Sequence, residues 1–130
     1  MQRFVAAFIV EANDLLNEID RAALSLEAVP KQETLNELFR AFHTIKGSSA
    51  MCGLATVGDF THHIENLLDL ARKGKIPVSP KLVDLVLRSE DQIAALLGIE
   101  EGAPPPNPAS TEKLIADLCA HAEACVDGRA

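Results

Sequence analysis

Four long stretches of this chain repeat apolar residues every three or four positions, and each stretch is cut off by glycine or proline after roughly 20 residues. That rhythm is the signature of an amphipathic helix, and it leaves little room for a sheet. In the first stretch, about 3–27, the apolar positions are Phe4, Phe8, Ala12, Leu15, Ile19, Ala22 and Leu26, with Val5, Ile9 and Leu16 alongside, and Pro30 marks the end. The second is predicted to start at Thr34-Leu-Asn-Glu37, a capping-box pattern, to bury Leu35, Leu38, Phe39, Phe42, Ile45 and Ser49, and to close at Gly53. Thr56 with Asp59 signals the third, about 57–73, which buries Val57, Phe60, Ile64, Leu67, Leu68 and Ala71 and ends at Gly74 and Pro77. Ser79-Pro80 reads as an N-cap with proline at the first helical position, opening a fourth helix through Leu82, Leu85, Val86, Ile93, Leu96 and Leu97 to Gly98.

Helices of similar length joined by short turns predict an all-α fold, an antiparallel up-down four-helix bundle over about 3–98. A proline-rich linker, 99–109, then leads to a shorter fifth helix, about 110–126, capped by Ser110 and carrying Leu114, Ile115, Leu118, Ala122 and Val126. The residues beyond the linker are too few for a core of their own, so 1–130 is read as one domain. The scarcity of aromatics, with five Phe and no Trp or Tyr, fits helix better than sheet.

A net charge of −7 argues against a nucleic-acid partner. The charge is uneven: residues 1–29 carry −3 and 99–130 carry −4, whereas 31–52 carry +1. Cys52, Cys119 and Cys125 form an odd set with no disulfide pattern, which suits a reducing cytoplasm. No apolar run reaches transmembrane length, so membrane insertion is not expected. Nothing demands a dimer, and the isolated domain is expected to be monomeric.

The least acidic region contains Phe39-Arg-Ala-Phe-His-Thr-Ile-Lys-Gly. His43 sits at the border of the apolar face, with Asn36, Arg40 and Gly47 on the same strip. Lys46 places a cation one turn away, and Gly47 removes a side chain that would crowd the ring. On the third helix Gly58, His62, Glu65 and Asp69 run beside the apolar stripe. If the turn centres on Leu54, His43 lies eleven residues before it and Glu65 eleven after, so the two face each other at one height. His62 is one turn away. An imidazole attacks phosphorus through an unprotonated ring nitrogen, and a carboxylate that accepts the other N–H fixes that tautomer. Glu65 is the candidate orienter and Lys46 the offset for phosphate charge. Thr44, Ser48 and Ser49 are candidate hydrogen-bond donors, and His62 a supporting group.

His43-Thr-Ile-Lys-Gly-Ser-Ser resembles the motif of histidine phosphotransfer (HPt) domains, most nearly the N-terminal phosphotransfer domains of chemotaxis histidine kinases of the CheA type. Leu38-Phe-Arg-Ala-Phe-His-Thr-Ile-Lys-Gly, Thr61-His-His-Ile-Glu-Asn-Leu-Leu-Asp69 and Ala71-Arg-Lys-Gly74 carry the likeness. The resemblance implies that His43 is phosphorylated at Nε2 while Glu65 holds Nδ1. It implies a phosphoryl group drawn from ATP on a separate kinase catalytic domain and passed to an aspartate of a CheY-like response regulator. With no Gly-rich nucleotide loop of its own, the chain would be carrier rather than kinase, with no bound cofactor. His63 has no role in this reading, and the polar Ser48-Ser49 pair stands where small residues are usual.

Two other function classes fit less well. A metal-carrying bundle needs inward-facing Glu and Glu-x-x-His positions on several helices, and this chain has His-x-x-Glu once, at a border. Cys119, His121 and Cys125 do not converge on one helix face, so no metal is expected. A docking module without chemistry would tolerate loss of His43.

Overall fold

The computed structural model describes residues 3–126, with side chains up to 124. Five helices account for its regular structure: α1 Arg3–Ala28, α2 Gln32–Met51, α3 Ala55–Arg72, α4 Pro80–Ile99 and α5 Pro108–Val126. Each of the first four packs on its two neighbours around a square, α1 on α2, α2 on α3, α3 on α4 and α4 back on α1. The short connections make successive helices antiparallel, which is the expected up-down bundle. The core runs along its axis through Phe42, Ile19, Leu26, Leu38, Ile45, Ile64, Leu68, Leu85 and Ile93, all fully enclosed. Among the described residues no helix is long and apolar enough to cross a membrane.

The periodicity located the helices, but their starts follow other rules. Thr34 is not a cap: α2 begins at Gln32, and Lys31 takes the N-cap position in extended backbone without a side-chain bond. The Thr34 side chain faces the interior instead, so packing overrides the local capping box. Thr56 likewise makes no cap, because α3 starts at Ala55 directly after the turn and Leu54 holds the cap position. That turn is a Schellman closure of α2. Gly53 adopts φ +78, Gly53 N–H donates to the Ala50 carbonyl, and Leu54 N–H donates to the Ser49 carbonyl. Ser79 behaves as the sequence predicts, its Oγ accepting the Leu82 N–H at 3.2 Å.

α4 passes through Gly98 to Ile99, and the left-handed residue that stops it is Gly102, at φ +93. α5 starts inside the expected linker. Asn107, not Ser110, is its cap: Asn107 Oδ1 accepts the Ala109 N–H at 2.9 Å, with Pro108 as first helical residue. α5 is therefore no shorter than α3. It lies against α3 and α4, burying Leu114 and Leu118, and is tied to α4 by Gln92 to Thr111 at 2.9 Å and Arg88 to Asp117 at 3.0 Å. The expected packing roles of Val126 and Cys125 lie outside the described side chains. On α1 the core takes Val5 and leaves Phe4 exposed, because a helix face one residue further round meets α2 and α4.

One packed pair works against the bundle. Glu90 on α4 lies beside Asp20 of α1 and Asp91, and burial together with these two charges pushes its carboxyl up from 4.5 to about 7. A carboxyl raised in the folded state binds its proton more tightly there than in the unfolded chain. The stability it contributes is complete below pH 4.5 and is lost as pH rises to about 7. Glu90→Gln is therefore expected to stabilise the protein at pH 8 but not at pH 4. The group is half-exposed, so solvent screening reduces the gain to about 1–2 kcal/mol. Urea midpoints at the two pH values measure it.

Candidate functional site

Because α2 and α3 are joined only by residues 52–54, positions equidistant from that turn meet across the helix pair. Small residues allow the approach. At Gly58 a Cβ would come within 3.1 Å of Ser49 Oγ and 3.6 Å of the Lys46 carbonyl oxygen, so a side chain there would require Ser49 to give by a few tenths of an ångström. Ser49 is wholly buried there, its Oγ donating to the Lys46 carbonyl at 2.8 Å. That corrects its reading as a phosphate donor: the hydroxyl is enclosed between helices and already bonded.

Seven residues past Gly58, the carboxylate of Glu65 stands between two side chains of α2. His43 Nδ1 lies 2.9 Å from Oε2, and Lys46 Nζ donates to Oε1 at 2.6 Å. The His43–Glu65 register expected from the turn is thus met. Exposure separates their parts, with 62% of the His43 side chain open to solvent against 11% of Glu65. Burial by itself would raise the Glu65 carboxyl, but the hydrogen bonds and charges of Lys46 and His43 outweigh it and hold the carboxyl below its ordinary range. An ionised Glu65 accepts only, so the hydrogen bond to His43 puts the ring proton on Nδ1. Nε2 is then the nitrogen left with a lone pair.

The other candidates divide. Thr44, Gly47 and Arg40 are exposed on α2 around His43, Ser48 is half-buried, and a Cβ at Gly47 would meet nothing within 4 Å. Asn36 is tied to its own helix, accepting from Gln32 Nε2 at 3.3 Å. His62 is exposed, its ring 6.0 Å from that of His63, and neither approaches His43 by hydrogen bond. His63, without a role in the sequence, has Cys119 Sγ of α5 4.0 Å from its Nδ1. Asp69 belongs to a separate ion cluster, accepting from Arg72 Nε at 2.9 Å with Lys73 Nζ at 2.8 Å. Among the described residues no group of three or more His, Cys, Asp and Glu side chains could hold a metal ion.

Two features were not read from the sequence. An open groove of about 570 Å³ runs from Lys46 and His62 over Gly47, Ala50, Gly53, Ala55 and Gly58, with Asp59 at its edge. The run of small residues was visible, but its alignment across two helices was not. The second is a stack: the Phe39 ring lies 5.9 Å from that of His43, nearly parallel at 13°, and the Arg72 guanidinium carbon sits 3.8 Å over the Phe39 ring. The spacing of Phe39 and His43 is the one clue to it in the sequence.

The chain is similar to known proteins in both sequence and structure. It is 39% identical over 98 residues to the sensor histidine kinase CheAY of Helicobacter pylori, and 38% identical over 99 residues to the chemotaxis protein CheA of Borreliella burgdorferi. Each match covers 75% of this chain but only 12% of the relative. In structure it resembles the phosphorylated P1 domain of CheA3 from R. sphaeroides, solved in complex with CheY6, with a TM-score of 0.84 and 26% identity over 96% of this chain and 99% of that one. It also resembles the solution structure of the histidine phosphotransfer domain of CheA, with a TM-score of 0.77 and 27% identity over 92% of both chains. The family model for the Hpt domain matches residues 3–99, all of the four-helix bundle and none of α5. By that match and by its identity with these kinases, the chain belongs to the Hpt domain family.

Proposed function

We propose that the chain is the phosphoryl carrier of a chemotaxis-type two-component system, with His43 as the phosphoacceptor. The observation that supports this most directly is the Nδ1 contact with a buried, ionised carboxylate on an otherwise exposed imidazole. The Nε2 lone pair attacks the γ-phosphorus of ATP held by a separate kinase catalytic domain. The N–P bond forms, the bond from phosphorus to the bridging oxygen breaks, and ADP leaves with that electron pair. Glu65 stabilises the positive charge that develops on the ring. In the second step an aspartate carboxylate of a CheY-like response regulator attacks the same phosphorus, and the N–P bonding pair returns to Nε2.

Lys46 lies one turn from His43 and can offer a further N–H to the phosphoryl oxygens while remaining paired with Glu65. The chain brings no nucleotide loop, so it is substrate and carrier and the kinase catalytic domain is its first partner. Both partners meet the same exposed surface around His43, including Asn36, Arg40, Thr44, Lys46, Gly47 and Ser48, with His62 at its margin. The CheA3 P1 domain of R. sphaeroides was solved with CheY6, which favours a regulator as second partner.

Incubation with a CheA-type catalytic domain and labelled ATP tests the proposal. The expected product is an acid-labile, alkali-stable label that a CheY-like regulator removes. Backbone shift perturbation by that regulator is expected to centre on α2 and α3. Perturbation that leaves both helices silent would rule out the shared surface.

A further inference from the structure

The structure assigns Phe39 and Arg72 the part of positioning residues that aim the His43 ring, an inference that rests on His43 being the phosphoacceptor. One hydrogen bond at Nδ1 fixes a single atom of the imidazole. The ring can still turn about that contact, and with most of the side chain in solvent few other groups restrain it. The Nε2 lone pair lies in the ring plane, so the tilt of that plane sets the direction of attack on phosphorus. Phe39, one turn before His43 on α2, lies nearly parallel to the imidazole and limits the tilt.

Phe39 is in turn held from α3. The Arg72 guanidinium sits over its ring, where the quadrupole attracts a cation. Arg72 is itself fixed twice, by donation from Nε to Asp69 and by the Gln32 side-chain amide donating to its carbonyl at 2.9 Å. Lys73 on the other Asp69 oxygen completes the cluster. Contacts therefore run from Asp69 through Arg72 and Phe39 to the imidazole. Glu65 decides which nitrogen reacts, and Phe39 decides where it points.

The test compares the full chain with Phe39→Leu, Phe39→Tyr and Arg72→Gln in the labelling reaction, varying the concentration of the phosphoacceptor domain. Phe39→Leu is expected to lower the maximal rate about 3–10-fold, the factor an aromatic pair of ordinary strength corresponds to, with KM unchanged. Phe39→Tyr retains the ring and the rate, and Arg72→Gln falls between. The order parameter of the His43 ring C–H bonds, from ¹³C relaxation, falls in Phe39→Leu and holds in Phe39→Tyr, which a purely structural role for Phe39 would not produce.

A folded Phe39→Leu protein labelled at the wild-type maximal rate overturns the inference, as does a loss confined to KM. If Phe39→Leu does not fold, Arg72→Gln decides: a wild-type rate with an unchanged His43 ring order parameter overturns it equally. Failure of the phosphoacceptor reading looks different, as no label on the wild-type chain or label persisting in His43→Gln. In that event the ring order parameter still shows whether Phe39 holds the imidazole.

Discussion

His43→Gln is expected to abolish the acid-labile label completely while leaving the bundle folded. A carboxamide has no ring nitrogen with a free lone pair, so no N–P bond can form at that position. Its Nε2–H can nevertheless donate to Glu65 Oε2 in place of the imidazole, which keeps the buried carboxylate paired. Since most of the native side chain lies in solvent, stability should change by no more than about 0.5 kcal/mol. Autoradiography after acid and alkali treatment reads the first effect, and thermal melting the second. Label surviving in the variant would place the phosphoryl group on another residue. Regulator binding that persists without the label would separate docking from chemistry in the same protein.

Glu65→Gln should reduce the phosphorylation rate by about 10–100-fold, more than removal of one charge from a surface pair would suggest. The reason lies in Lys46. Its ammonium can only donate, so it draws the new amide oxygen towards itself and turns the NH₂ group towards His43 Nδ1. An N–H facing Nδ1 requires a lone pair there and drives the ring proton to Nε2, the atom proposed to attack. Imidazole ¹⁵N shifts should report this change of tautomer. Lys46→Met in the Glu65→Gln background removes the preference and should restore part of the Nδ1–H tautomer in the same ¹⁵N shifts. If Glu65→Gln keeps both the wild-type tautomer and the wild-type rate, Glu65 does not orient the ring.

The same carboxylate contributes stability that is lost at low pH. Its folded-state pKa lies below the ordinary 4.5, so its contribution is present above that value and lost only as pH falls through the lower folded one. Urea midpoints of wild type and Glu65→Gln, measured against pH, should converge there. This is opposite in sign to Glu90, whose contribution disappears as pH rises to about 7.

Apolar spacing was enough to place four helices and their order, because the residues that fill the core, such as Ile19, Phe42 and Leu68, recur on one face. Helix starts were harder to read. Ser79 caps as expected because it precedes proline and lies outside the core. Thr34 carries the same kind of signal but faces inward, and burial decides its place. Asn107 was passed over inside a proline-rich run, although asparagine before proline is a reasonable helix start. In the site, counting residues from the turn found the His43–Glu65 pair, since a short connection fixes the register of two helices. The apolar spacing already put Ser49 on the buried face, against its reading as a phosphate donor, but it could not show that Arg72 reaches Phe39, which depends on how far apart the helices sit and on the path of a long side chain.

The Gly58 contact has a consequence for catalysis, although the residue has no side chain. It lies seven residues from Glu65, about 10 Å along α3 at the usual helical rise. It therefore acts as a spacer near the closed end of a pair of callipers whose open jaws are the imidazole and the carboxylate. A methyl group added there meets Ser49 Oγ at 3.1 Å, and any widening it forces at the closed end is carried outward to a 2.9 Å hydrogen bond. The 2.9 Å contact between His43 and Glu65 thus rests in part on a position without a side chain, two turns away on the helix that carries the carboxylate.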